Sequence, residues 1–130
     1  MMNKERILVV DDDESILTAF RRVLSKNGYA VDTVSTAGKA LEKMASNRYD
    51  VLLLDIRLPD MEGTDLLQKL SNSSEMVKII ITGHSDDEHG VKASDYGADG
   101  YLVKPVEPEE LLITIKERLD DLKSRKTNRK

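Results

Sequence analysis

The stretch Val51-Leu52-Leu53-Leu54-Asp55-Ile56-Arg57-Leu58-Pro59-Asp60 constrains the fold of this chain more than any other. Four apolar residues follow one another without a polar break, as in a strand buried on both faces of a parallel sheet. An aspartate ends the run, and Pro59 and Gly63 mark a loop beyond it. Asp55 is therefore expected at the carboxyl end of a central strand, where open α/β sheets bind their ligands. In that place it reads as a nucleophilic carboxylate.

The rest of the chain alternates in the same way. Ile7 to Val10 is a buried first strand that stops at Asp11-Asp12-Asp13-Glu14. Ile16, Leu17, Phe20 and Leu24 recur at helical spacing, and Asn27-Gly28 supplies a stop. Ala30 to Val34 interleaves Asp32 and Thr33 with apolar residues, which suits an edge strand. Ala37, Ala40, Leu41 and Met44 form a second helical stripe, and Leu66, Leu67 and Leu70 a third. Val77 to Ile81 is a fourth strand, ending at Thr82-Gly83. Ser85-Asp86-Asp87-Glu88 has the form of a capping box and predicts a fourth helix with a thin apolar face. Tyr101 to Val103 is a fifth strand, ending at Lys104-Pro105. Pro108, Glu109 and Glu110 suit the first turn of a last helix, whose buried stripe is Leu111, Leu112, Ile115, Leu119 and Leu122. Such alternation predicts a parallel sheet with helices on both faces.

The chain has 130 residues, enough for one domain with a full core. Residues 1–124 are assigned to it, and 125–130 to a basic tail or the start of a linker. The formal net charge of −4 does not support direct nucleic-acid binding. There is no cysteine, which excludes disulfides and thiol chemistry. No apolar run approaches the ~18 residues of a membrane span, so a cytoplasmic location without membrane contact is the expectation.

Polar residues stand where the strand runs end: Asp11 and Asp12, Asp55, Thr82, and Lys104. In a parallel sheet these ends lie on one edge and converge on one pocket. At ~4 Å each carboxylate pair would repel by about 4 kcal/mol at an effective dielectric near 20. An all-oxygen acidic site without His or Cys suits Mg²⁺, with Mn²⁺ as an alternative ion. Metal and Lys104 could together neutralise a phosphoryl group in in-line transfer to Asp55, with Thr82 donating a hydrogen bond to the product. Taken singly, the residues have plainer readings. Asp11 to Glu14 could be only a helix cap, Thr82 a strand-end hydroxyl, Lys104-Pro105 a turn and Tyr101 half-buried packing. His84 and His89 are expected at the surface.

From Ile7 to about Leu122 the chain closely resembles the receiver domain of two-component response regulators. The resemblance rests on Ile7 to Asp13, Leu54 to Gly63, Ile81-Thr82-Gly83 and Gly100 to Pro105. It implies a flavodoxin-like doubly wound sheet in strand order 2-1-3-4-5. It implies that Asp55 accepts a phosphoryl group from the phosphohistidine of a sensor histidine kinase or phosphotransfer protein. Asp12 would bind Mg²⁺ directly and Asp11 largely through water, with Asp55 and the backbone carbonyl of Arg57 completing the protein ligands. Thr82 and Tyr101 would be the switch pair, and Lys104 the phosphate partner with a cis bond to Pro105. Arg57 and His84 would tune dephosphorylation. Such a domain is not a conventional enzyme, although it promotes its own phosphorylation and autodephosphorylation. Its output would pass to a downstream protein or a fused output domain, or through a phosphorylation-dependent homodimer.

Three other readings compete. A phosphatase of the haloacid-dehalogenase type wants a second acid where Arg57 stands. A flavodoxin-type cofactor carrier would meet four acids where a flavin phosphate binds. A degenerate receiver that acts as a phosphorylation-independent binding module would not need the complete acidic set.

Overall fold

A computed structural model describes residues 4–70, 75–83 and 97–128. The strands are β1 (Arg6–Val10), β2 (Ala30–Val34), β3 (Val51–Asp55), β4 (Val77–Thr82) and β5 (Gly100–Val103). All neighbours pair in parallel, in the order β2-β1-β3-β4-β5. Helices α1 (Glu14–Lys26), α2 (Ala37–Ser46) and α3 (Gly63–Lys69) and a C-terminal helix (Pro108–Asn128) connect or follow the strands. The expected helix from Ser85 lies outside the described residues.

Every residue of β3 and β4 is buried, the apolar majority of both strands together with Asp55, Lys78 and Thr82. Alternate residues supply two cores. Ile7, Val9, Val51, Leu53, Ile79 and Ile81 pack with α1 and the C-terminal helix through Leu17, Phe20, Leu24, Leu111, Ile115 and Leu119. Leu8, Val10, Leu52, Leu54 and Ile80 pack on the other face with Ala37, Ala40, Leu66 and Leu67. The β2 strand is half-buried and lies at the edge, as its mixed polarity predicts.

The helix ends follow local chemistry. Asp13 caps α1, its carboxylate accepting the Ser15 N–H at 2.9 Å and the Ser15 hydroxyl at 2.6 Å. Pro108 opens the C-terminal helix, with Glu109 and Glu110 in its first turn. That helix continues to Asn128, beyond Leu122 where the apolar stripe stops. Lysine and arginine are good helix formers and favour its negative end.

One polar knot ties the edge strand down. The Tyr49 hydroxyl donates to Asp32 Oδ2 at 2.5 Å, and Arg6 reaches the same oxygen at 3.3 Å. The Arg6 guanidinium also lies 5.0 Å from the centre of the Tyr49 ring. The Tyr49 hydrogen bond holds the Asp32 carboxyl below its usual range, against partial desolvation and with help from Lys43 and Arg6. Burial and then Asp32 push the Tyr49 hydroxyl up to about 12. A depressed carboxyl contributes stability above its unfolded pKa and loses it as pH falls through the folded one. Tyr49→Phe is therefore expected to cost about 1 kcal/mol at pH 7 in urea unfolding. The difference from wild type should narrow as pH falls below about 4.

Candidate functional site

Each acid is delivered by the end of a strand. The β1 strand finishes at Val10, and the Asp11 N–H continues the ladder to Val34 O at 3.2 Å. Asp11 is buried and Asp12 exposed. The acidic run thus divides its work: Asp13 caps α1, and Asp11 and Asp12 face the pocket. Asp55 is the last residue of β3, buried and opposite Ile81 in register. One carboxylate oxygen from each of Asp11, Asp12 and Asp55 lies within 4.8 Å of the others.

Lys104 arrives from the end of β5, where its N–H donates to Thr82 O at 2.7 Å and its bond to Pro105 is cis. Its ammonium lies 2.9 Å from Asp11 Oδ2 and 3.6 Å from Asp55 Oδ2. Burial pulls the Lys104 ammonium down, but the Asp11 and Asp55 carboxylates outweigh this and hold it above its ordinary value. Asp55 is pushed the other way. Burial raises its carboxyl first and the Asp11 charge next, partly offset by the Arg57 N–H at 3.2 Å and by Lys104. Three carboxylates against one ammonium leave two excess negative charges. A divalent cation fits that deficit and the all-oxygen donor set.

The loop after Asp55 turns back on itself. Arg57 and Glu62 form an antiparallel bridge, and the Gly63 N–H donates to Ile56 O at 2.6 Å. Only glycine fits at position 63, since a Cβ there would stand 2.6 Å from the Asp55 carbonyl oxygen and 2.9 Å from Ile56 Cα. Thr82 is buried at the end of β4. Residues alternate along a strand, so Thr82 shares a face with Ile80, whose partner in register on β5 is Tyr101. Tyr101 is half-buried against the core of that face. The structure thus brings Asp11, Asp12, Asp55 and Lys104 together and puts Thr82 and Tyr101 on one side of adjacent strands. His84 lies outside the described residues.

A family model, the response regulator receiver domain, matches residues 7–116. Over 114 residues the chain is 38% identical to the response regulator ArlR of Staphylococcus saprophyticus, covering 88% of this chain and 52% of that protein. Over 108 residues it is 41% identical to the response regulator MprA of Mycobacterium ulcerans, covering 82% and 47%. The chain therefore spans about half the length of these relatives. A CheY-like receiver domain protein from Methanospirillum hungatei superposes with a TM-score of 0.90 at 42% identity, over 95% of this chain and 99% of that one. The BeF3-activated DrrB receiver domain gives 0.83 at 34% identity, over 91% and 99%.

The raised Asp55 carboxyl has a cost with a definite sign. Its charged form is disfavoured by the fold, so it subtracts stability above its folded pKa, and the loss is relieved as pH falls through that value. In buffer free of divalent cations, Asp55→Asn should stabilise the protein at pH 7 by about 1 kcal/mol, the usual yield of relieving an unfavourable charge. Thermal unfolding from pH 7 to pH 4 should show that gain shrinking as the solution becomes more acidic.

Proposed function

Because this chain belongs to the response regulator receiver family, we propose that it is a phosphorylation-dependent switch of a cytoplasmic two-component phosphorelay. The observation that carries this reading is the acidic cluster with Lys104 Nζ lying 2.9 Å from Asp11 and 3.6 Å from Asp55. In this reading an Asp55 oxygen attacks the phosphorus of a phosphohistidine in line. The phosphorus–nitrogen bond breaks, and the imidazole leaves as an acyl phosphate forms. Asp12, Asp55 and the Arg57 carbonyl would hold Mg²⁺ directly and Asp11 largely through water, and the ion would supply charge neutralisation at the phosphoryl oxygens. Lys104 then exchanges its carboxylate partner for a phosphoryl oxygen, and Thr82 donates its hydroxyl to another.

Phosphorylation adds about −1.5 to −2 charge and three acceptor oxygens. Drawing Thr82 toward them vacates space on the face it shares with Tyr101, into which the ring of Tyr101 can move. That movement would alter the surface built from the segment between β4 and β5, β5 itself and the C-terminal helix. The bistable surface is biased by phosphorylation and not created by it. The relatives' greater length favours output through a fused domain or separate protein, with a phosphorylated homodimer as one route. BeF3 activation of the DrrB domain is consistent with a pocket that receives a phosphoryl-sized group.

Incubation with acetyl phosphate and Mg²⁺ is expected to add the mass of one phosphoryl group. Asp55→Asn, or removal of Mg²⁺ by chelation, should abolish the gain in intact-mass spectrometry. A gain that persists in Asp55→Asn would refute the assignment. Arg57 and His84 stand two residues past Asp55 and Thr82, and we assign them to shielding the acyl phosphate from water. An Arg57→Ala, His84→Ala double variant should lose its phosphoryl group several-fold faster; an unchanged lifetime would remove that role.

A further inference from the structure

The α2 helix is held at its N-terminus from two sides. Thr36 is its own cap, the hydroxyl accepting the Lys39 N–H at 3.1 Å. The first two amides are taken by a residue far along the chain. Asp60 Oδ1 accepts from Ala37 N at 2.9 Å, and Oδ2 from Gly38 N at 2.8 Å. The first turn of α2 contains no acid, so Asp60 supplies the negative charge that this helix end favours. These two hydrogen bonds keep the Asp60 carboxyl below its ordinary range. A Cβ added at Gly38 would stand 3.4 Å from Asp60 Oδ2, in van der Waals contact with it.

Asp60 belongs to the turn that follows Asp55. One end of that turn is closed by the Gly63 N–H on Ile56 O and by the Arg57–Glu62 bridge. Leu58 and Met61 rest partly on the core, a contact with little directional preference. The Asp60 carboxylate is different, because two short charge-assisted bonds to a rigid helix fix both distance and angle. Between these anchors lies Arg57, whose N–H already meets Asp55 Oδ1.

We propose that Asp60 is a positioning residue for the metal site: by clamping the 56–63 loop to α2 it sets where the Arg57 carbonyl stands relative to Asp55. The inference rests on the functional reading above, in which that carbonyl is a Mg²⁺ ligand. Groups that orient ligands from behind commonly govern metal affinity by tenfold or more.

The test compares two caps of one helix end. Mg²⁺ alone is titrated into wild type, Asp60→Ala, Asp60→Asn and Thr36→Ala by isothermal calorimetry, and the melting temperature of each is measured without metal. Asp60→Ala should weaken Mg²⁺ binding about tenfold. Asp60→Asn should do so less, because its amide keeps one acceptor. Thr36→Ala should lower the melting temperature and leave Mg²⁺ affinity at the wild-type value. Wild-type affinity in both Asp60 variants would make Asp60 a helix cap and nothing more. Equal weakening by Thr36→Ala and Asp60→Ala would trace the effect to fraying of α2 and overturn the inference too. If Asp60→Ala fails to fold, Asp60→Asn carries the comparison. Wild type that binds no Mg²⁺ would overturn the functional reading and this inference together, whereas normal wild-type binding with unaltered Asp60 variants defeats this inference alone.

Discussion

The β3 strand is covered on both faces by helices and on both edges by strands, and the position of every chemical group in the site follows from that. A strand so enclosed has no freedom to slip, because a shift of one residue would exchange the two cores that Leu52 and Leu53 supply. Asp55, at its end, therefore stands at a fixed height above the sheet. Parallel pairing then fixes the heights of Asp11 and Lys104 through β1, β4 and β5. The hydrophobic burial of the middle of the sheet thus forces like charges together at its edge. Lys104 relieves part of that repulsion and leaves a deficit that suits a divalent cation.

Much of this was legible in the sequence. The unbroken run Val51–Leu54 marked a central strand, and the mostly apolar Val77–Ile81, interrupted only by Lys78, marked its neighbour. Ala30–Val34 marked an edge for the opposite reason. The convergence of Asp11, Asp12, Asp55 and Lys104 followed once the strands were taken as parallel, since all their carboxyl ends then share one side. What could not be read was anything decided by side-chain direction over a long separation. Four consecutive acids do not reveal that the third, Asp13, spends its carboxylate on capping α1. Asp60 and the start of α2 lie 22 and 23 residues apart, and only the folded geometry joins them. The single hint was a helix whose first turn lacks an acid. The C-terminal helix likewise outlasts its apolar stripe, because charged residues with good helical propensity continue it to Asn128.

The site and the polar knot illustrate two uses of charge. At Asp32 the surroundings favour the carboxylate: a phenol, a guanidinium and a nearby lysine all lower its pKa, and the result is a stabilising clamp. At Asp55 burial and a neighbouring acid oppose the carboxylate, so the fold holds it at a cost that an incoming cation can relieve. The two acids thus shift in opposite directions, Asp32 held down by its partners and Asp55 pushed up by its surroundings.

An open sheet leaves two rims at which another molecule could add a strand. The β2 rim is five residues long, and Asp32 is its middle residue. Antiparallel pairing of two copies about that midpoint would set Asp32 opposite Asp32, like charges facing each other on neighbouring strands. The tether to Tyr49 and Arg6 keeps that charge ionised and in place. The aspartate that anchors the strand to its own molecule therefore also discourages fibril-like growth of the sheet from one molecule into the next.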